Sequence, residues 1–512
     1  MVDVGSDRGS GSIYVQGRIV ELSGNLVSLV AINKGSTDGQ GITISAQKLI
    51  VRDGAQINTY TLGIGAAGDI KANISESLEL SDNSTLLQNN NTVSTGIFSV
   101  TSVSGKAGDI TINTKNLYIQ GARISTQSEG IFFRLLNQYI PATGAGGNLT
   151  INALNSVEII GKTDNNFNIG LFAGTLSEGS SGNLKLTTGE LIIRSGGAVT
   201  VSSKIPTEPT GVTYLGDISK LGTAGNLDVT ARNIVLDRSA RITSETDLGR
   251  GGNINLLVRD LLLMRRGSQI SASAGKLDTP GDGGNINIDI PTGFIVAPPQ
   301  ENNDITANAF SGSGGKVQVN AISLFGTAPL SREDLVRKLG VNSTNPSLLD
   351  PAKLNSSDIT AISQENPTLN GAVNINTLDD NINRTPVNLP TKLVERKVTQ
   401  SCRNDIVRGQ SQFIITGRGG IPTAPVDLIR SNTTLEPDWV SIKRGNSKNE
   451  QDLSRAHSLL INVNSKHSYP MKIVKAQSWV GSSDGDLYLV ESAPFSTNYN
   501  PWFRDSECVV PN

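Results

Sequence analysis

The chain has 512 residues, 37% of them hydrophobic and only 4% aromatic, with 54 glycines, a composition that favours narrow stacked cores over the interior of a globular enzyme. Lys plus Arg number 44 against 46 Asp plus Glu, the signs are interspersed and the net charge is −2, which gives nucleic acid or an anionic membrane nothing to hold. Apolar runs are short, residues 26–32 being among the longest, and none approaches the ~18 residues of a spanning helix.

Residues 1–8 show neither a basic head nor an apolar stretch, so no signal peptide is expected in them. From residue 11 onward one motif keeps returning: a glycine, then Asp or Asn, then a short alternating apolar run. It reads Gly68-Asp69-Ile70, Gly108-Asp109-Ile110-Thr111-Ile112, Gly147-Asn148-Leu149, Gly182-Asn183-Leu184, Gly225-Asn226-Leu227, Gly252-Asn253-Ile254 and Gly284-Asn285-Ile286, with looser copies at Gly11, Gly41, Gly315 and Gly371. From Gly41 to Gly315 the glycines lie 27, 40, 39, 35, 43, 27, 32 and 31 residues apart, a period that marks a solenoid with variable insertions.

Within one unit the sequence predicts three short strands and two bends: Asp109 to Asn113, Leu117 to Ile119, and Arg123 to Thr126 after the bend at Gly121-Ala122. Alternation of Ile, Leu and Val with polar residues means that each strand buries one face. Gly-Asp and Gly-Asn suit the first bend through glycine's access to positive φ. One coil cannot enclose a core, but coils stacked in register can, so the fold class expected is all-β, a parallel β-helix of about eleven coils. Asn148, Asn183, Asn226, Asn253 and Asn285 would stack as an amide ladder along one edge, a structural role.

Residues 128–143, 163–178 and 203–223 interrupt the repeats and would project laterally. The first carries Phe132, Phe133 and Leu136, which form either a flap packed on the rod or a contact loop. Repeats occupy 1–327. Residues 328–391 hold a short helix over 332–339, with Ser331 as N-cap and Gly340 as stop, then a loop, a last coil and a closing segment. Residues 392–512 differ in composition and form a small, mainly-β domain with a hairpin turning at Asp484-Gly485. Both cysteines, Cys402 and Cys508, lie there, and a disulfide and two free thiols are equally compatible with the sequence.

Acids that could converge for glycan chemistry are Asp228 with Asp237, Glu301 with Asp304, and Asp379 with Asp380. Asp228 occupies a polar strand position used by Thr, Lys and Asn in other coils, as on a solvated face, and Glu301 and Asp304 suit a role in closing the solenoid. His457 and His467 have no ligand-spaced partners, Gly417-Arg418-Gly419-Gly420 lacks the residues of a phosphate loop, and no cofactor is expected.

The run Gly293-Phe294-Ile295-Val296-Ala297-Pro298-Pro299-Gln300-Glu301-Asn302-Asn303-Asp304-Ile305, then Ser357-Asp358-Ile359-Thr360-Ala361-Ile362-Ser363, Val387-Asn388-Leu389-Pro390, Cys402 and residues 413–425 around Gly417, Arg418, Gly419 and Gly420 resemble secreted cyanobacterial proteins of the filamentous-haemagglutinin type, often labelled S-layer family proteins. The resemblance is strong over 284–425 and weak in the repeats. It implies a right-handed β-helix, a secreted or cell-surface location, and export by the two-partner route through an outer-membrane transporter. The amino-terminal secretion domain of that family is missing here, which puts export of this polypeptide in doubt. The function expected is non-enzymatic adhesion to cells or surface glycans; the rivals are a polysaccharide lyase or hydrolase and a structural exoprotein without a ligand. The chain enters at residue 11 already inside the repeat, so an open first coil is expected to self-associate end to end.

Overall fold

A computed structural model describes residues 1–377 except 83–94, 134, 162–168, 206–212, 277–278 and 342–344, together with the backbone of 478–481 and 487–490. The chain divides into two units, Met1–Val394 and Glu395–Asn512. In the second, Ser478–Gly481 pairs antiparallel with Leu487–Val490, as a hairpin requires, while the expected turn at Asp484-Gly485 lies outside the described residues.

The first unit is a parallel β-helix. Long strands, from Ser12–Ser23 to Ala372–Thr377, stack in sequence order into an 11-stranded parallel sheet, one for each glycine marker. Short strands stack beside them into a 12-stranded sheet that begins with Val2–Asp3. One continuous apolar column runs between the sheets from Ile13 to Ala361. Ile110, Ile112, Leu117, Ile119 and Ile124 all face it at 1% exposure or less, as the alternation requires.

Each coil holds two strands rather than the three expected. Ile110–Gln120 is continuous where a bend was predicted, and Arg123–Ser128 follows it. The alternation does slip by one residue there, since Thr114 and Leu117 both point inward with exposed Lys115 and half-buried Asn116 between them. Thr114 fills the slip by donating its hydroxyl to Asn116 O at 3.1 Å. The register against neighbouring coils shifts at the same place, between Asn73 and Ser77 and between Ala153 and Ser156. A bulge of this kind keeps the ladder running and looks in sequence like a bend.

The amino terminus differs from expectation as well. Val2 and Asp3 pair in parallel with Leu29 and Val30, and Val4 N and Ser6 N donate to Val30 O and Ile32 O at 3.0 and 3.1 Å. These residues extend the short sheet one strand beyond the point where the repeat becomes visible.

The helix Arg332–Leu339 has the caps expected: Ser331 Oγ accepts Asp334 N–H and Gly340 is left-handed at φ 63°. Leu335 packs with Leu330, Leu349 and Ile362 in a second small core, and the buried Arg332 guanidinium donates to Ser363 O and Gln364 O. Among the described residues no helix is long and apolar enough to cross a membrane.

The marker glycines are glycines for a reason other than the one expected. Gly68, Gly108, Gly147, Gly182, Gly225, Gly252 and Gly284 are not among the positive-φ residues; the left-handed corner is the second bend, at Gly54 (φ 90°), Gly121 (φ 66°) and Gly267 (φ 74°). At Gly225 a Cβ would overlap Gly182 O, and the same overlap recurs at Gly147, Gly182, Gly252 and Gly284 against the glycine one coil earlier. Close approach of two backbones excludes the side chain. Gly225→Ala is therefore expected to destabilise the rod by more than about 2 kcal/mol. Gly17→Ala, where the nearest atom to a new Cβ lies at 3.4 Å, should change stability by less than about 1 kcal/mol. Thermal unfolding of the two variants in parallel checks this, and equal melting shifts would count against it.

Candidate functional site

The ladder asparagines serve the scaffold, and they do so through the backbone. Asn148 N–H donates to Asp109 Oδ1, Asn183 N–H to Asn148 Oδ1, Asn226 N–H to Asn183 Oδ1, Asn253 N–H to Asn226 Oδ1 and Asn285 N–H to Asn253 Oδ1, at 2.9 to 3.3 Å. Contacts between side chains accompany this series, as from Asn253 Nδ2 to Asn226 Oδ1 at 3.0 Å, but the shared element is an oxygen aimed at the next coil's N–H. Asp69 and Asp109 fill the same role, which is why Asp and Asn alternate at the position.

A second ladder escaped the sequence reading. Thr61, Thr101 and Thr175 point inward from the short strands and donate to Gly65 O, Gly105 O and Gly179 O at 2.5 to 2.6 Å. The signal was present as a threonine four residues before a glycine. Inward-facing polar residues at the end of an apolar strand are hydrogen-bonded to the corner they face.

The lateral segment around Phe132 forms a small side sheet. Ile131–Phe133 pairs antiparallel with Gln138–Ile140, and Thr213–Tyr214 joins in parallel with the latter. Tyr139 anchors it: the ring is buried and stacks on Tyr214 at 5.7 Å, and its hydroxyl accepts Gly130 N–H at 2.6 Å and donates to Leu176 O at 3.2 Å. Burial pushes the Tyr139 phenol up, and pushes that of Tyr214 up to about 12. Phe132 is half-buried, whereas Phe133, Leu135, Leu136 and Ile140 turn to solvent. The flap is thus fastened by Tyr139, leaving an apolar tip on its outer side.

Of the acids, Asp228 accepts Asn255 Nδ2 at 2.8 Å, as one rung of a polar ladder, and Asp237 is forked by Arg266. Glu301 accepts a bidentate Arg265 at 2.7 and 2.7 Å and Arg266 N–H at 2.9 Å, and the Arg265 hydrogen bond leads the effects that lower its carboxyl to about 2. These carboxylates have structural partners.

Asp304 is different. It is 3% exposed and lies on the outward face of Asp304–Thr306, where its Oδ1 accepts Asp358 N–H from the last coil at 3.0 Å. That bond ties the last coil down, in line with the closing role expected. Burial raises its pKa most, the Asp358 N–H opposes this, and the Asp358 and Asp350 carboxylates add to the rise, leaving it at about 7. Asp304 lines a half-open groove of about 250 Å³ together with Glu245, Gln269, Asn308, Phe310 and Asp350. Burial works against the ionised Glu245, but Lys204 at 2.8 Å outweighs it and holds that carboxyl below its ordinary value. The groove therefore presents the anchored Glu245 carboxylate, the Asp304 carboxyl that is half protonated near neutrality, the Asp350 side chain, which accepts Ala352 N–H at 3.0 Å, and several amides and hydroxyls.

Sequence reasoning missed Glu245, Gln269, Asn308, Phe310 and Asp350. The floor residues sit at the outward phase of short strands, and only the segment around Pro351 turns that face into a cavity. Among the described residues no group of three or more His, Cys, Asp or Glu is placed to hold a metal ion. Cys402, Cys508, Pro390, Gly417, Arg418, Gly419, Gly420, His457, His467, Asp379 and Asp380 lie outside the described residues. No family model, curated protein or solved structure matches the chain, so its chemistry is read from its own geometry.

Asp304 makes stability depend on pH in a defined direction. Its folded pKa of about 7 exceeds the ordinary 3.8, so between those values the unfolded chain releases the proton first and stability falls as pH rises, levelling off above 7. Asp304→Asn keeps an oxygen for the Asp358 N–H and abolishes the titration. The variant is expected to be more stable than the parent at pH 8, by up to roughly 4 kcal/mol, with the difference vanishing near pH 4. Denaturant unfolding across that range measures it, and a parent that gains stability relative to the variant with rising pH would refute the assignment.

Proposed function

We propose that the chain is a non-enzymatic, adhesin-type rod of the filamentous-haemagglutinin kind, displayed at the cell surface or secreted, which binds other cells or surface glycans through features on its sides. The observation that carries this reading is the division of labour along the coil. Marker glycines, turn asparagines, inward threonines and most candidate acids are committed to stacking, and two lateral features of the described residues stand clear of that work: the tip bearing Phe133, Leu135 and Leu136, and the groove beside the last coils. Exposed apolar side chains grouped on a fastened loop fit a contact surface. Export through an outer-membrane two-partner transporter belongs to the same reading and rests on the sequence resemblance over 284–425.

A second reading, a polysaccharide hydrolase or lyase, draws on Asp304, since a buried carboxyl at about 7 suits a general acid. Incubation with a panel of neutral and acidic polysaccharides, followed by assay for new reducing or unsaturated ends, separates the two. The adhesion reading expects none. It also expects binding to a glycan or whole-cell array to fall at least about tenfold when Phe133, Leu135 and Leu136 are all changed to Ser, a loss of the order expected on removing a few apolar contacts. Cleavage of any polymer, or array binding that is absent or indifferent to that change, would sink it.

A further inference from the structure

The groove has the properties of a built site rather than of a chance depression. Asn308 is 6% exposed, and its Oδ1 is spent on Ile362 N–H at 2.9 Å, but its amide N–H groups find no acceptor among the described residues although the side chain lines the groove. Asp304 repeats the pattern, with Oδ1 committed to Asp358 N–H and Oδ2 without a donor among the described residues. Two neighbouring side chains thus each keep one polar atom free of protein partners on the groove side, open to a ligand or to water. Gln269 lies directly beside Asp304 in the sheet register, and it adds an amide one strand spacing, ~4.8 Å, along the rod.

The chemistry of the lining narrows the ligand. An anion would face the carboxyls of Glu245, Asp304 and Asp350. A metal ion finds no cluster of three ligands among the described residues. An apolar molecule would strand the amides of Gln269 and Asn308. An organic cation would pair with the carboxyls but, being a donor only, would leave the amide N–H groups of Asn308 and Gln269 without acceptors, whereas a neutral polyhydroxyl molecule both donates and accepts and so matches the whole lining. A volume of about 250 Å³ is below the ~300 Å³ at which pockets for drug-sized ligands begin, and it suits one ring rather than a long chain.

We infer that this groove is a saccharide subsite that seats one neutral sugar ring, with Asp304, Asn308 and Gln269 hydrogen-bonding its hydroxyls and Phe310 against its apolar face. The identity of the sugar as part of a surface glycan rests on the adhesion reading; the pocket itself does not.

The test titrates the full chain with glucose, galactose, mannose, N-acetylglucosamine and their short oligomers, using calorimetry and ligand-observed magnetic resonance, with glucuronate as the charged control. At least one neutral sugar is expected to bind, glucuronate more weakly. Gln269→Ala and Asn308→Ala should each weaken that sugar at least about tenfold, since each removes one hydrogen bond to a buried ligand. Gln269 makes no side-chain bond within the fold among those described, so its variant keeps the test valid even where Asn308→Ala loses the Ile362 contact and unfolds. Absence of binding by every neutral sugar, or binding unchanged in Gln269→Ala and in any folded Asn308→Ala, would overturn the subsite. Cell or glycan-array attachment that survives the groove variants but fails in the Phe133, Leu135, Leu136 variant would overturn the assignment of the bound sugar to a surface glycan and leave adhesion standing. Sugar binding that depends on Gln269 in a chain that attaches to no cell or glycan surface would do the reverse.

Discussion

The fold depends on one contact, made afresh at each coil from Gly108 to Gly371: the backbone of a corner glycine resting on the carbonyl of the glycine one coil earlier. No side chain fits between Gly182 O and Gly225, and none is needed, because the following Asn or Asp uses its side-chain oxygen to take the N–H of its counterpart in the next coil. The corner fixes where each coil sits along the axis. Strand pairing then follows on both sides without further choice, and the apolar residues fall into one column. This is also why coil length can vary from 27 to 56 residues without disturbing the core. An insertion is absorbed between corners, and the next glycine restores the register. Nearest-neighbour contacts of this type are what allow solenoids to accumulate lateral additions.

Much of this was legible in the sequence because the corner repeats. The glycine marker gives the number of coils, the alternation gives the inward residues, and Ser331 and Gly340 bound the helix through local hydrogen bonding alone. Three features were not legible, each for a physical reason. Thr114 and Leu117 share the inward side across a bulge, and an alternation that slips by one residue is written the same way whether the chain bends or bulges. Val2–Asp3 is too short to show any period, and it is recognisable only from its pairing with Leu29 and Val30. The groove needs Glu245, Gln269, Asn308, Phe310 and Asp350 together, residues separated by many coils' worth of sequence and joined only once the register is set. Asp304 was visible as a candidate; its surroundings were not.

Ion pairs contribute unevenly to this architecture. Arg52 with Glu21 bridges adjacent coils at 2.5 Å, but both side chains are nearly half exposed, and such pairs add little. The cluster bordering the groove is of another kind. Asp247 is 1% exposed and takes Lys276 at 2.5 Å, Lys204 at 3.5 Å and Ile205 N–H at 2.9 Å, while Lys204 also holds Glu245 at 2.8 Å. Removing one member would leave a buried charge uncompensated. The network gains rigidity at one wall of the groove, so Glu245 is held in place where an exposed glutamate would sample many rotamers.

Asp304 brings scaffold and site into opposition. Its structural duty, accepting the Asp358 N–H, needs only one side-chain oxygen, and Asn148, Asn183, Asn226 and Asn253 do that work with an amide at the corners of this same rod. A carboxyl placed there is raised to about 7 by burial and by two neighbouring carboxylates, so at neutral pH its ionisation weakens the fold where an amide would not. The scaffold therefore does not account for the choice of residue. The groove does, because an amide could offer only hydrogens at the second position, whereas a carboxyl balanced near neutrality can donate or accept there. Where a residue is worse for stability than its isostere and its surplus atom faces a cavity, the cavity is the better explanation of its identity.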